Sequence, residues 1–558
     1  MREQVLVSAL VGRTLAKLGV GHVFGVVGSG NFDVTGMLMA EGIPFTAARH
    51  EGGAATMADA YTRMSGKVGV VTTHQGCGLS NAITGIGEAA KSRTPMIVLT
   101  ADTQAAAIRS NFKIDQDALA RSVGAIAERI HSPATAIADT VRAFRTAVNE
   151  RRTVVLSLPL DIQSGTAADE VGAAVVPQPL KVRPDAGAVQ HLVALIAAAE
   201  RPVFVAGRGG RGAREEILAL AHHAGALVAT SAVASGLFNG DTHNLGISGG
   251  FSSPATAEFI SGADLIVGWG CALNMWTMRH GRLISAGTKV VQIDVEDSAL
   301  GANRPITLGV LGDSALTAGD ALAALAGSQP EPVEKYRTEA NALAIKQGSR
   351  WRDVETEDLS TATSIDPRVL TRELDSMLPA ERIVAVDSGN FMGYPSQYLA
   401  VPDEFGFCFT QAFQAIGLGL YTAIGAALAQ PHRLPVLGAG DGGFLMGISE
   451  LETAARLKLP LVCIVYNDAA YGAEVHHFAG QHPEQDLSSV VFPDTDIAAI
   501  ARGFGAEGVT VRTVADLEAV RPWIAAFEAG TQDRPLVIDA KIASDGGSWW
   551  LAEAFQGH

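Results

Sequence analysis

Short runs of β-branched and apolar residues, each followed by a helical pattern, recur along nearly the whole of this 558-residue chain. Strands joined this way need crossover helices, and the arrangement that buries them is a parallel sheet with helices on both faces. The length exceeds what one core can organise, which divides the pattern into about three such sheets. The first block, residues 1–165, has strand runs at His22–Val27, Val68–His74, Pro95–Asp102 and Thr153–Leu158. A linker from Gly165 to Pro184 follows, marked by Pro177, Pro179 and Pro184. The second block, residues 185–328, has runs at Pro202–Ala206, Leu227–Ser231, Ala263–Gly268 and Lys289–Val295 and stops at Gln329-Pro330-Glu331-Pro332. Beyond a charged, weakly helical connector, the third block spans 364–558 and opens where Asp366 can cap a helix with Pro367 at its first position. Its strand runs lie at Ile383–Asp387, Pro435–Gly438, Leu461–Tyr466 and Pro535–Ile542. The expected fold is α/β, three doubly wound parallel-sheet domains, with no short-period repeat but a shared rhythm in the first and third.

Composition narrows the function. Apolar residues at 47 % against 18 % charged, with 61 glycines, fit a large α/β protein with much buried surface and subunit contacts. A net charge of −16, spread along the chain, disfavours nucleic acid and anionic membranes and makes a small-molecule substrate the default. Cys77, Cys271, Cys408 and Cys463 lack CxxC spacing, which argues against a disulfide framework or a zinc site and for a reducing cytoplasm. The N-terminus has the amphipathic pattern of Val5, Leu6, Leu10 and Leu15, and no run reaches ~18 apolar residues. A soluble, cytoplasmic, unprocessed chain is expected.

The most informative motif is Gly440-Asp441-Gly442, then 24 residues, then Asn467-Asp468, with an apolar strand running into each half. Ligands bind at the carboxyl ends of parallel strands, and glycines let backbone N–H groups approach phosphate oxygens. Asp441 and Asp468 supply hard oxygens for Mg²⁺, and the Ala470 carbonyl could complete the set. Two glycine turns of an ordinary α/β domain are the plainer reading, but spacing, strand context and the asparagine favour the metal site. The stretch resembles the thiamine-diphosphate motif, GDG followed some two dozen residues later by NN. The second Asn of that pattern is Asp468 here, which keeps an oxygen ligand and adds a negative charge. On this resemblance Gly440, Asp441, Gly442, Gly443, Asn467, Tyr471 and Gly472 contact the cofactor.

Arg49-His50-Glu51-Gly52-Gly53-Ala54-Ala55, followed by Met57-Ala58-Asp59-Ala60-Tyr61 and Gly66-Lys67-Val68-Gly69-Val70, is similar to a segment of acetolactate synthases and their relatives. Glu51 falls on that family's activating glutamate, whose hydrogen bond to N1′ of the aminopyrimidine favours the imino tautomer that deprotonates the thiazolium carbon. Without the resemblance, Glu51 reads as a helix-start carboxylate or a surface charge. The family also implies pyrimidine-binding, middle nucleotide-like and diphosphate-binding domains in that order. It implies a homodimer, commonly paired into a tetramer, with active sites at the dimer interface. Phe413-Gln414-Ala415-Ile416-Gly417-Leu418-Gly419 aligns with the segment that nominates Ile416 for the bend of the cofactor, although Ile416 could be plain core. Asp387-Ser388-Gly389-Asn390-Phe391 resembles the second diphosphate loop and nominates Gly389 and Asn390.

In the second block Gly207-Arg208-Gly209-Gly210-Arg211-Gly212 is a formal GxGxxG, but the next strand run, Leu227–Ser231, ends without the acidic residue that NAD binding needs. Some middle domains of the family bind FAD, usually with an arginine in the turn that reads Gly268-Trp269-Gly270-Cys271-Ala272-Leu273 here; FAD is disfavoured. Ser29 and His74 match pocket residues of benzoylformate-type decarboxylases, His74 reading otherwise as a strand-end histidine. Glu474 resembles the substrate-handling glutamate of pyruvate and indolepyruvate decarboxylases, and His477 replaces a tryptophan of acetohydroxyacid synthases. Glu51, Ser29, His74, Glu474 and His477 are thus the catalytic candidates. The tail Ser548-Trp549-Trp550-Leu551 could be a lid or a subunit contact. The expected reaction is thiamine-diphosphate- and Mg²⁺-dependent decarboxylation of a 2-oxo acid, with ligation to an aldehyde or ketone or protonation to an aldehyde. The alternatives are a non-decarboxylating lyase of benzaldehyde-lyase or 2-hydroxyacyl-CoA lyase type and, from another class, a catalytically silent nucleotide-binding regulator.

Overall fold

The computed structural model describes residues 4–175, 179–479, 484–548 and 551; Pro177, Trp549 and Trp550, singled out above, lie outside them. Three six-stranded, all-parallel sheets organise the chain. In spatial order the first is Phe45–Ala47, His22–Gly25, Gly69–Thr73, Met96–Asp102, Thr153–Pro159 and Ile126–Arg129. The third is Phe407–Phe409, Arg382–Val386, Leu434–Gly440, Val462–Asn467, Leu536–Lys541 and Glu507–Val511. Counting each sheet's strands in chain order, both run 2-1-3-4-6-5, whereas the middle sheet runs 3-2-1-4-5-6. A small antiparallel pair, Gln4–Leu6 with Thr166–Ala168, pins the start of the chain to the segment expected to be linker.

The central strands of each sheet are buried along nearly their whole length, which is why their sequences read as continuous apolar runs. His22 opens the first strand of the first sheet, stacked on Phe24 at 4.5 Å with Nε2 2.8 Å from Thr46 Oγ1, and burial pushes its pKa down to about 4.

The first and third domains share one apolar core. Helix Glu51–Ser65 lies against helix Gly419–Ala429 so closely that a Cβ on Gly425 would stand 2.3 Å from the Met57 carbonyl oxygen. A buried ionic cluster strengthens this seam. Arg63 donates to Asp59 (2.7 Å), Glu88 (2.9 Å) and the Phe409 carbonyl (2.9 Å), while Glu88 accepts the backbone N–H groups of Ala412 (3.0 Å) and Phe413 (2.7 Å). The cluster therefore positions the segment that leads to Ile416.

Candidate active site

The pairing of Gly440 with Tyr466 in neighbouring parallel strands brings Asp441 and Asp468 side by side at the carboxyl edge of the third sheet. Burial pushes Asp441 up to about 6 and Asp468 up to about 7, the latter raised further by its neighbour, and the two carboxyls lie within hydrogen-bond reach of each other. Lys541, the nearby cation, is taken by Asp494 and by Asp539 at 3.0 Å. Among the described residues no lysine or arginine forms an ion pair with Asp441 or Asp468. Such a pair calls for a proton or a cation, and with Ala470 lining the same cavity the donor set is hard oxygen, as Mg²⁺ prefers. Glycine is required around it: a Cβ on Gly472 would lie 2.3 Å from Asp468 Oδ2, and one on Gly442 would lie 2.6 Å from the Tyr471 ring. Asn467 differs from expectation. It is buried, donates to Asp539 (2.8 Å) and accepts from Ala469 N–H (3.0 Å), so its side chain supports the turn rather than lining the cavity.

The neighbouring loop begins with Asp387, a residue whose own role the sequence motif did not reveal. Its buried carboxylate accepts N–H groups from Ser388 (2.8 Å) and Gly417 (3.0 and 3.1 Å), which ties the Gly389–Asn390 loop to the Ile416 loop. Burial raises it to about 7 against those hydrogen bonds. Gly389 has φ +150°, and a Cβ there would meet the Phe391 ring at 2.7 Å. Asn390 accepts from Ser548 Oγ at 2.6 Å, and Leu551 lines the cavity, so the described part of the tail packs onto this site.

Ile416, 42 % exposed, and Met446, 48 % exposed, are large apolar side chains presented to the cavity rather than to a core. Gln411, missed by the sequence reading, lines the cavity with both atoms of its amide buried and unpartnered, as expected of a group awaiting a ligand. Glu474 and Tyr471 also line it; His477, at the end of the Gly472–His477 helix that carries Glu474, does not, and burial lowers its pKa. The cavity, about 850 Å³, continues to the carboxyl edge of the middle sheet at Gly207, Ser231, Gly270 and Asp294. That volume accommodates a cofactor-sized ligand.

The first domain gathers a second group. Glu51 starts its helix after His50, whose Nδ1 accepts Gly52 N–H at 3.0 Å, and Asn81 Nδ2 donates to the Glu51 carboxylate at 3.1 Å. His74 Nδ1 lies 2.9 Å from the Gln75 carbonyl, which assigns the proton to Nδ1 and leaves Nε2 as an acceptor 3.4 Å from Ser29 Oγ. Gly78 lies between His74 and Glu51: its Cβ position is 3.2 Å from His74 Cβ and 3.5 Å from Glu51 Oε1. Ser29, His74 and Glu51 thus face one another, but none of them lines the cavity, whose first-domain lining is Arg63, Lys91, Ser92, Arg93 and Arg151 instead. Within one chain the two groups of candidates are separate.

Comparison with known proteins decides the family. The N-terminal domain of thiamine pyrophosphate enzymes matches residues 6–121, the central domain 189–325 and the C-terminal domain 387–540. The chain belongs to the thiamine-diphosphate-dependent enzymes. It is 30 % identical to a sulfoacetaldehyde acetyltransferase of Castellaniella defragrans, over 90 % of this chain and 88 % of that protein. It is also 29 % identical to a probable 2-ketoarginine decarboxylase of Pseudomonas aeruginosa (91 % and 89 % covered) and 27 % identical to a probable acetolactate synthase large subunit of Methanocaldococcus jannaschii (88 % and 85 %). This thiamine-diphosphate enzyme therefore makes or breaks carbon–carbon bonds beside a carbonyl. Among its described residues the four cysteines are free, and no helix is long and apolar enough to cross a membrane.

Proposed function

We propose that this enzyme decarboxylates a 2-oxo acid and either protonates the product to an aldehyde or joins it to an aldehyde or ketone acceptor. The observation that carries the reading is the shared cavity, in which the carboxylate of Glu474 lies with Ile416, the Asp441–Asp468 pair and the Gly389–Asn390 loop. Asp441, Asp468 and the Ala470 carbonyl would hold Mg²⁺ against the diphosphate, with Gly440, Gly442 and Gly443 giving backbone access. When bound, thiamine diphosphate supplies the nucleophilic carbon and the electron sink. Glu51 would hold a proton at the aminopyrimidine, Ile416 would enforce the bend, and Glu474 would hand a proton to the carbon that loses CO₂. Ser29 and His74 would orient the substrate carboxylate, with His477 assisting from the helix that carries Glu474.

Because Glu51, Ser29 and His74 lie outside their own chain's cavity, a second copy supplies them in this reading. The enzyme is then a homodimer, or a homotetramer of two such dimers, in the cytoplasm. FAD is the less favoured cofactor in this reading. At the crossover between the Pro202–Ala206 and Leu265–Trp269 strands, Gly209 N–H donates to the Gly270 carbonyl at 3.1 Å, and a Cβ on Gly207 would lie 2.3 Å from that oxygen. The Gly268–Leu273 turn lacks the arginine usual in the flavin-binding relatives, although the cavity does reach this edge at Gly207, Gly209 and Gly270. Purified protein is expected to be colourless; a stoichiometric yellow chromophore released on denaturation would reverse this point.

A second reading, cleavage without decarboxylation, has in its favour the sulfoacetaldehyde acetyltransferase relative, named for an aldehyde. A panel of 2-oxo acids and aldehydes, assayed for CO₂ and for products by mass with and without acceptor, separates the two. Aldehyde release from a 2-oxo acid alone, with an aldehyde-to-ligation ratio shifted in Glu474→Gln, is the expected result. Acetolactate as sole product, with a ratio indifferent to that change, would return the enzyme to a plain synthase.

A further inference from the structure

The metal site departs from the family pattern at one atom, where Asp468 carries an oxygen in place of an amide nitrogen. In a site with one carboxylate and one amide, the protein neutralises half of a dication's charge, and the diphosphate must bring the rest. Here the protein brings two facing carboxylates. Asp441 is 7 % exposed, Asp468 is largely screened, each is within hydrogen-bond reach of the other, and no described cationic side chain pairs with either. Gly472, whose Cβ position is 2.3 Å from Asp468 Oδ2, leaves that oxygen room that any other residue would fill.

We propose that Asp468 makes this an autonomous metal site, in which the divalent cation binds the cofactor-free chain first and thiamine diphosphate then docks on a preloaded site. The inference rests on reading Asp441 and Asp468 as the Mg²⁺ ligands. Its physical basis is electrostatic: two facing carboxylates without a cationic side chain between them repel each other at low dielectric, and a dication removes that repulsion as it gains both attractions. With the dication already balanced by the protein, the diphosphate gains less from it. Metal and cofactor are then weakly coupled, and by linkage the weak coupling is reciprocal. An amide at position 468 reverses this: the bare site holds the cation poorly, and the diphosphate becomes the condition for metal binding.

The experiment titrates Mn²⁺ into full-length, cofactor-stripped protein by calorimetry, for wild type and Asp468→Asn, each with and without saturating thiamine diphosphate. Expected is one Mn²⁺ per chain in the cofactor-free wild type, with an affinity about tenfold or more above that of cofactor-free Asp468→Asn. The cofactor should tighten Mn²⁺ binding much more in the variant than in the wild type. Uptake by Asp468→Asn in the presence of cofactor shows that the variant is folded. If the wild type takes up Mn²⁺ only with thiamine diphosphate present, or if both proteins show equal coupling, the inference fails while the assignment of the ligands stands. If neither protein takes up metal even with the cofactor, the ligand assignment itself fails and the inference with it.

Discussion

The first and third domains are built on one plan and put to different uses. Both sheets run 2-1-3-4-6-5, and in both the turn after the first strand carries the same tetrapeptide, Ser29-Gly30-Asn31-Phe32 in one and Ser388-Gly389-Asn390-Phe391 in the other. The residue before it differs: Gly28 in the first domain, buried Asp387 in the third. Asn31 is wholly buried and satisfied inside its own domain, donating to Val26 and Thr72 and accepting from Gly28 N–H. Asn390, freed from that duty by Asp387, turns to Ser548 and the cavity. At the turn after the third strand in chain order the pair diverges again, His74-Gln75-Gly76 against Asp441-Gly442-Gly443. In the proposed reading one edge handles protons and the other a cation and phosphates. The comparison shows that the frame fixes where chemistry occurs and that a few residues at the strand ends decide which chemistry it is.

The division of labour can be broken from either side. The largest effect is expected on the third domain's edge: dialysis against EDTA should abolish turnover, and Mg²⁺ with thiamine diphosphate should restore it. Full activity in protein stripped of both would refute the assignment of that edge. On the first domain's edge, Glu51→Gln should retain cofactor binding but slow proton exchange at the reactive thiazolium carbon by ~10²–10⁴-fold. Exchange at the wild-type rate would show that another group activates the cofactor. A smaller effect separates the two frames by pH. His22 opens the first strand of the first sheet as a buried neutral imidazole, whereas Arg382 opens that of the third, paired with Asp375 at 2.9 Å. Because the His22 pKa is lowered from 6.5 to about 4, its contribution is intact above pH ~6.5 and is lost as pH falls toward ~4. Over that window the first domain should lose up to about 3 kcal/mol that His22→Gln does not lose, read from urea unfolding at several pH values. Last, Gly425→Ala forces a methyl against the Met57 carbonyl and should cost about 1–3 kcal/mol, seen as a lower Tm. An unchanged Tm would mean that the seam between the two domains is looser than its geometry shows.

The legibility of the sequence follows burial. Each of the twelve central strands coincided with a run that could be read directly, because strands covered on both faces are continuously apolar. The six strands that gave no signal, among them Phe45–Ala47, Asn244–Ile247, Ile126–Arg129 and Glu507–Val511, are the two edges of each sheet. Edge strands are short and most are half wet, so Glu128, Arg129 and Thr510 interrupt the pattern, while Phe407–Phe409 is apolar but only three residues long. In the site, the placement of some residues was readable from local pattern: Asp441 and Asp468 at strand ends beside the cavity, and Glu51 at a helix start. Asp387 and Gln411 were not, since their roles depend on loops brought together from elsewhere in the chain. Asn467 was readable as a motif residue but its partner Asp539, 72 residues away, was not.

On the ribosome, the Arg63–Asp59–Glu88 cluster is made long before the segment it holds. Glu88 and Phe413 are 325 residues apart, so at ~5–20 residues per second the first domain waits roughly 15–65 s for the backbone groups that satisfy Glu88. Translation that stops before Phe409 yields a first domain whose interior carboxylate has lost two hydrogen-bond donors and whose guanidinium has lost a carbonyl. Such a fragment is marked as incomplete by its own electrostatics, and it is the kind of product that cellular proteases remove first.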